Sequence, residues 1–413
     1  MGVKTNLAGA TNIANLGEHN FVLQEAITGY SDEAYTTAKK LSGTGIVGSN
    51  PNIDTSTETF IGQVRWFKPM DHVVNVASLT DSSEGDYATY SSDYLRYVKT
   101  VRTHGGKKIN LQQVVTQQDG LAKIGRDFAE TRAQDEHNAI LAVLRGVALA
   151  ELLNGCAAAS GATGLGGQTF TNDPEDKKYG FYVDLGTEKL ISLPGTTPAG
   201  VANAAYVGAQ RAEGFLKAFG MAYKDYEPEW AYLVVSPEVK ASLRSANLVD
   251  SDGVVEANVK FDTIFGGKFR LIQTRASQGF SGTEIDKIQT GAGTVELTDG
   301  CKTSFIVLPG ALAMQQLSIP EPTEIERKAG AFKGGGTTAI WHRWGYVLAP
   351  VGYDWIGSDA AFPANSDYYA VVEGSTQKAL TAVGSGTLAS TTGVWSRKTK
   401  SALSLGILPV FHA

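Results

Sequence analysis

Few groups of residues in this chain have the types and spacing that chemistry needs. Gly43-Thr44-Gly45-Ile46-Val47-Gly48 matches the GxGxxG spacing that cradles a dinucleotide pyrophosphate. That loop works only where it leaves a strand and opens a helix. Here Ala38-Lys39-Lys40 upstream reads as helical and Ser49-Asn50-Pro51 downstream blocks a helix, so an ordinary loop is expected. Gly300-Cys301-Lys302-Thr303 lacks the upstream glycine of a phosphate loop. Ser375-Thr376-Gln377-Lys378 has the SxxK spacing of acylating serine enzymes, but Ser366-Asp367-Tyr368 is not SDN, and neither a KTG triad nor a GxSxG elbow accompanies it. His19, His72, His104, His137, His342 and His412 are scattered without an HExxH pair. Glu321, Glu324 and Glu326 follow Pro320 and read as a solvated edge rather than as paired acid and base. The sequence therefore predicts no catalytic, cofactor-binding or metal-binding residues, and no enzyme.

The densest basic stretch is Arg96, Lys99, Arg102, Lys107 and Lys108, and the acidic residues Asp81, Glu84, Asp86 and Asp93 share its segment. A duplex-binding strip requires a positive domain. Mixed charge fits ion pairing between subunits better, so Trp66, Arg96, Lys99, Arg102, Lys107, Lys108, Asp81, Glu84 and Asp86 are the candidate intersubunit contacts. The aromatic group Trp341, Trp344, Tyr346, Tyr353 and Trp355 reads as a core or an obligate interface, although such rings also stack sugars or bases.

The elements that would position these residues follow from periodicity. Residues 1–54 are polar and dotted with glycine, an extended arm. From 55 to 119 the pattern alternates: Phe60, Gly62, Val64 and Trp66 against Ile61, Gln63, Arg65 and Phe67, then Tyr94, Arg96 and Val98 against Leu95, Tyr97 and Lys99. This predicts a long hairpin with a polar tip at Thr80–Asp86 and a second polar stretch at His104-Gly105-Gly106-Lys107-Lys108. Leu121 to Leu153 carries apolar residues at three- and four-residue spacing, a spine helix with Asp119 as N-cap candidate and Gly155 as stop. Gly125 and Gly146 are candidate hinges within it. Ala202 to Phe219 reads as helix, Ala231 to Val235 as a buried strand, Ser236-Pro237-Glu238 as a capped helix start, and Phe269–Thr274 and Ser304–Leu308 as strands. Thr338 to Leu348 and Leu403 to Phe411 return to strand character.

Composition sets limits on this plan. The chain has 413 residues, with 36 Lys plus Arg against 42 Asp plus Glu, a net charge of -6 and 19% charged residues. That balance argues against a basic nucleic-acid reader. Glycine stands at 47 and proline at 13, a profile of turns and close backbone approaches rather than disordered linker. Cys156 and Cys301 are too few for a disulfide framework and read as buried apolar side chains in a reducing compartment. The apolar stretch Ala139–Ala150 contains Arg145 and falls short of the roughly 20 residues of a membrane span, and Met1-Gly2-Val3-Lys4 opens no apolar signal core.

In the order of its elements the chain resembles the major capsid proteins of tailed bacteriophages, with the HK97-like fold. Trp341-His342-Arg343-Trp344-Gly345-Tyr346-Val347-Leu348-Ala349-Pro350 with Tyr353-Asp354-Trp355-Ile356-Gly357 is similar to the late strand and turn in one branch of that family. Val394-Trp395-Ser396-Arg397-Lys398 resembles its C-terminal end, and Ser304-Phe305-Ile306-Val307-Leu308-Pro309-Gly310-Ala311 the strand and loop before it. The resemblance implies an α+β chain divided into an N-terminal arm (1–54), an extended loop (55–119), a peripheral domain with the spine helix (120–199), an α/β axial domain (200–335) and return strands completing both domains (336–413).

It further implies a structural protein of the virion, assembled in the host cytoplasm, whose copies close through pentamers and hexamers into an icosahedral shell around double-stranded DNA held without sequence-specific contact. A separate scaffolding protein is expected, because no long charged helical prefix is present; a portal and a decoration protein are further implied partners, and the contacts are expected to be non-covalent. A net charge of -6 suits a wall that must not grip phosphate. An encapsulin-type nanocompartment shell is the alternative within the same fold, and a β-rich glycan-binding or hydrolytic protein is the alternative outside it.

Overall fold

A computed structural model describes residues 41–50, 52–56, 59–67, 92–109, 120–159, 183–184, 214–216, 218–220, 222–223, 228–256, 259–274, 302–331, 333, 335–373, 375–379, 391–398 and 405–412. Along the chain come β1 (Val47–Gly48), β2 (Ile61–Phe67), β3 (Ser92–Ile109), the helix α1 (Gly120–Ala159), β4 (Val183–Asp184), β5 (Ala231–Val235) and the helix α2 (Pro237–Ser245). Then follow β6 (Val249–Glu256), β7 (Val259–Ile264), β8 (Phe269–Gln273), β9 (Lys302–Val307), β10 (Leu312–Gln316), β11 (Thr323–Lys328) and β12 (Thr337–Pro350). The chain ends in β13 (Tyr353–Trp355), β14 (Val371–Glu373), β15 (Thr376–Lys378), β16 (Thr391–Gly393), β17 (Trp395–Arg397) and β18 (Ile407–His412). Strands and helices in one chain with mixed sheets make this an α+β protein, as expected.

Two compact units divide the described residues. The smaller draws on Val101–His137 and Gln316–Gly345, the larger on Leu41–Thr100, Asn138–Gln315 and Tyr346–Ala413. Each is discontinuous in sequence.

In the larger unit a seven-stranded sheet has the order β4-β18-β9-β5-β8-β7-β6. Its central strand β5, Ala-Tyr-Leu-Val-Val, is buried at every residue, as an uninterrupted apolar run predicts for a strand covered on both faces. It pairs in parallel with β8 and antiparallel with β9. The helix α2 begins where the sequence places its cap: Ser236 Oγ accepts from the Val239 amide at 3.3 Å, with Pro237 in the first turn. The turn Phe265–Lys268 leads into β8, with Gly266 and Gly267 both at positive φ, a conformation glycine adopts without penalty.

The larger unit also holds the C-terminal half of α1. There Gly146 faces the Tyr368 carbonyl so closely that a Cβ would collide with it, and the Trp395 indole donates to that same carbonyl at 3.0 Å. Gly393 makes a similar approach to the backbone of Ala150. Trp355, Tyr368 and Trp395 pack together, with Trp355 edge-on to Trp395 at 5.0 Å. Tyr368 also hydrogen bonds to Thr100. Glu151 and Arg397 face each other at 3.7 Å, the Glu151 side chain fully buried and that of Arg397 7% exposed.

In the smaller unit the N-terminal half of α1 packs its Phe128 and Ile124 on Ile340 and Ile325. β11 pairs antiparallel with β12, Ile325 opposite Ile340 and Thr323 opposite His342. The sheet to which these strands belong has the order β1-β10-β12-β3-β2, with β11 alongside β12.

Two boundaries depart from expectation. The helix passes through Gly155 to Ala159, giving 40 residues; one glycine costs only about 1 kcal/mol in a helix, too little to stop it. The strand β3 likewise runs straight through the polar stretch His104–Lys108 to Ile109, 18 residues in all. The missing side chains of Gly105 and Gly106 are what neighbours fill: the Trp341 ring lies over Gly105, and Ile124 and Phe128 close on Gly106. Asp119, the Thr80–Asp86 tip, the arm before Leu41 and most of Ala202–Phe219 lie outside the described residues. No helix among the described residues is long and apolar enough to cross a membrane.

Candidate intersubunit surface

The expected hairpin is formed. β2 pairs antiparallel with the first part of β3, from Ile61 opposite Val98 to Phe67 opposite Ser92. Gly62 stands opposite Tyr97 and leaves the space its ring occupies. The strands alternate, so Leu95, Tyr97 and Lys99 share one face and Tyr94, Arg96 and Val98 the other. Leu95, Tyr97 and Lys99 are all buried, as is Val98 on the other face, so Lys99 is a buried cation.

That cation is satisfied within its own chain. Lys99 is 0% exposed, and its Nζ donates to Asp54 Oδ2 and the Ser56 carbonyl, both at 2.7 Å, with the Ser56 and Thr59 hydroxyls at 3.3 and 3.4 Å. The Lys99 hydrogen bond, joined by the Ser56 amide and hydroxyl, holds the Asp54 carboxyl down at about 2. Asp54 is pinned a second time, its amide donating to the Tyr97 hydroxyl at 2.7 Å. Burial pushes that phenol above its ordinary range.

Arg96 and Arg102 also have partners inside the chain. The Arg96 amide donates to Asp354 Oδ1 at 2.5 Å, its guanidinium lies 3.5 Å from Oδ2, and Lys398 reaches the same carboxylate at 3.5 Å. Arg102 pairs with Asp135 at 3.5 Å, and Asp135 accepts from the Trp344 indole at 3.2 Å. Lys99 thus has no exposed side-chain area in the single chain, and Arg96 and Arg102 have internal carboxylates. Lys107 is exposed on β3. The side chains of Trp66 and Lys108, and Asp81, Glu84 and Asp86 altogether, lie outside the described residues. Gly125 and Gly146 both fall within the unbroken helix α1.

The aromatic group divides. Trp344, Tyr346, Tyr353 and Trp355 are core, whereas Trp341 is 42% exposed. Among the described residues Phe60 and Tyr94 are the other large exposed rings, Phe60 meeting Phe362 edge-on at 4.8 Å. The sequence did not single out Tyr94 as a contact, and it placed Trp341 only within an aromatic group read as core or interface. The signal was present: Tyr94 stands opposite Arg65 near the hairpin's distal end, and Trp341 stands opposite the charged Glu324.

The other motifs take their ordinary readings. Gly43–Gly48 forms a short helical turn, a bend and β1, which pairs in parallel with β10, and the Gly45 amide donates to the Tyr232 hydroxyl. Glu321, Glu324 and Glu326 are exposed, Glu324 pairing with Arg343. Among the described residues no three His, Cys, Asp or Glu side chains gather as a metal site.

No protein-family model matches this chain, and no curated protein does. Solved structures do align with it. The capsid of Ralstonia phage GP4 is 13% identical over 74% of this chain and 83% of that one, with a TM-score of 0.44. The head structure of Helicobacter pylori bacteriophage KHP40 is 7% identical over 89% of both chains, TM-score 0.43. The capsid of cyanophage P-SCSP1u is 13% identical over 76% of this chain and 89% of that one, TM-score 0.41.

Proposed function

We propose that this chain is the major capsid protein of a tailed bacteriophage, an HK97-like shell subunit rather than an enzyme. One observation supports the reading above others: a hairpin on a long strand, a 40-residue helix, a seven-stranded mixed sheet and a 14-residue return strand follow one another in that order. The return strand β12 lies beside β3 in the sheet. A subunit of this kind places its hairpin over a neighbour and its mixed sheet around the five- and six-fold axes. Repeated heterologous contacts then close into rings, and rings into a shell. Phe60, Tyr94, Lys107 and Trp341 are exposed and are proposed contacts, as are Arg96, Arg102, Trp66, Lys108, Asp81, Glu84 and Asp86 by their place in the sequence.

The packaged content is double-stranded DNA, held without base readout by a wall whose subunits carry net negative charge. A scaffolding protein, a portal and a decoration protein are the further partners, and the site of assembly is the host cytoplasm. Gly125 and Gly146 are proposed hinges of the helix between a precursor and an expanded shell; identical helix curvature in the two particles counts against this. Electron microscopy of the purified protein tests the central reading. Closed icosahedral particles tens of nanometres across support it, and a monodisperse monomer at every concentration overturns it.

A further inference from the structure

The smaller unit contains a histidine whose surroundings suit only the neutral ring. His342 lies on β12 and is buried. Phe128 of α1 stacks on one side at 5.4 Å between centroids and 9° between planes, and Trp344 at 5.8 Å and 27°. Nδ1 is 3.3 Å from Thr323 Oγ1 on β11, and Nε2 is buried with no hydrogen-bond partner among the described residues. An imidazolium carries two N–H groups, so whichever tautomer is present at neutral pH, protonation leaves a buried donor unmatched.

Among the neighbouring groups, Arg132 and His104 oppose protonation too. From α1, Arg132 raises the local potential, while Glu136 accepts from Arg132 and Gln316, and Asp135 from Trp344 and Arg102. From β3, His104 sits edge-on to Phe128 at 5.5 Å and adds to the positive field. From β11 and β12, Glu324 and Arg343 pair with each other on the opposite face of the sheet.

We infer that His342 makes the smaller unit an acid-responsive latch: proton uptake by this ring loosens the β11–β12 pair from the helix that covers it. Burial, aided by Arg132 and His104, lowers His342 to about 4 from the ordinary 6.5. A histidine held down in the closed state binds its proton more readily in the open one. The closed state is therefore fully favoured above about pH 6.5, weakens as pH falls toward about 4, and changes no further below that. This device is independent of whether the chain builds a shell.

Hydrogen exchange of the full chain tests it, read by mass spectrometry on peptides covering β11 and the Thr337–Gly345 part of β12 and corrected for intrinsic rates. Between about pH 7 and about pH 5.5, a window above the ordinary carboxylate range, opening should become about eightfold more favourable. His342→Gln should abolish that dependence and His104→Gln should retain it. Exchange at the imidazole C2–H of the unaltered chain is the second readout, and should place the His342 midpoint well below about 6.5. An ordinary midpoint at His342, no pH dependence in the unaltered chain, or an unchanged dependence in His342→Gln overturns the inference.

Discussion

Removing either partner of the Lys99–Asp54 pair should have unequal effects, and the inequality follows from where each charge sits. Asp54→Ala leaves the ammonium of Lys99, which is 0% exposed, with only the Ser56 carbonyl and two neutral hydroxyls around it. Stranding a buried charge costs about 3–5 kcal/mol, and the three remaining oxygens argue for the low end, about 3 kcal/mol. Lys99→Met keeps the aliphatic stem packed and leaves a carboxylate that is 52% exposed, which water can solvate. The loss is then that of a net hydrogen bond, about 1 kcal/mol. Amide exchange of Leu95–Thr100 in the full chain converts these into rates. Protection should fall on the order of 100-fold in Asp54→Ala and about fivefold in Lys99→Met. In the double variant the cost should return close to that of Lys99→Met alone, because no charge is left to strand. If Lys99→Met proves as damaging as Asp54→Ala, the argument from unequal exposure is wrong.

Three further expectations concern other contacts. Asp54 is held at about 2 chiefly by Lys99, so its contribution should be complete above the ordinary carboxylate range and should fade as pH drops through about 2; in Asp54→Asn the acid-dependent part of β3 protection between about pH 4 and about pH 2 should shrink. Gly146→Ala drives a methyl into the Tyr368 carbonyl and the Trp395 indole, and despite alanine's better helix propensity it should destabilise by about 3 kcal/mol, read as a lower urea midpoint; an unchanged midpoint rules out that close approach. Ser236→Ala removes the acceptor for the Val239 amide and should cost about 1 kcal/mol, visible as faster exchange confined to the first turn of α2.

Much of the fold was legible because its elements have clean periods. The alternation of Tyr94–Lys99, the three- and four-residue spacing after Leu121, and the uninterrupted Ala231–Val235 run each correspond to the element they predict. The ends were less legible. Gly155 and the Gly105-Gly106 pair look like punctuation, yet the helix passes through the first without pause, and the close approach of Trp341, Ile124 and Phe128 turns the other two into packing positions. The internal ion pairs of the basic stretch were not legible. Lys99's partner Asp54 lies outside the hairpin, and Arg96's partner Asp354 is 258 residues away. No local pattern shows such pairings.

The strand β11 has a consequence for order in a crowded solution. Among the described residues it pairs only with β12, and its exposed positions are Glu324, Glu326, Arg327 and Lys328. An open margin of backbone donors and acceptors invites stray chains to add on in fibrils. A strand added there would have to desolvate four ionised side chains, which opposes indiscriminate stacking.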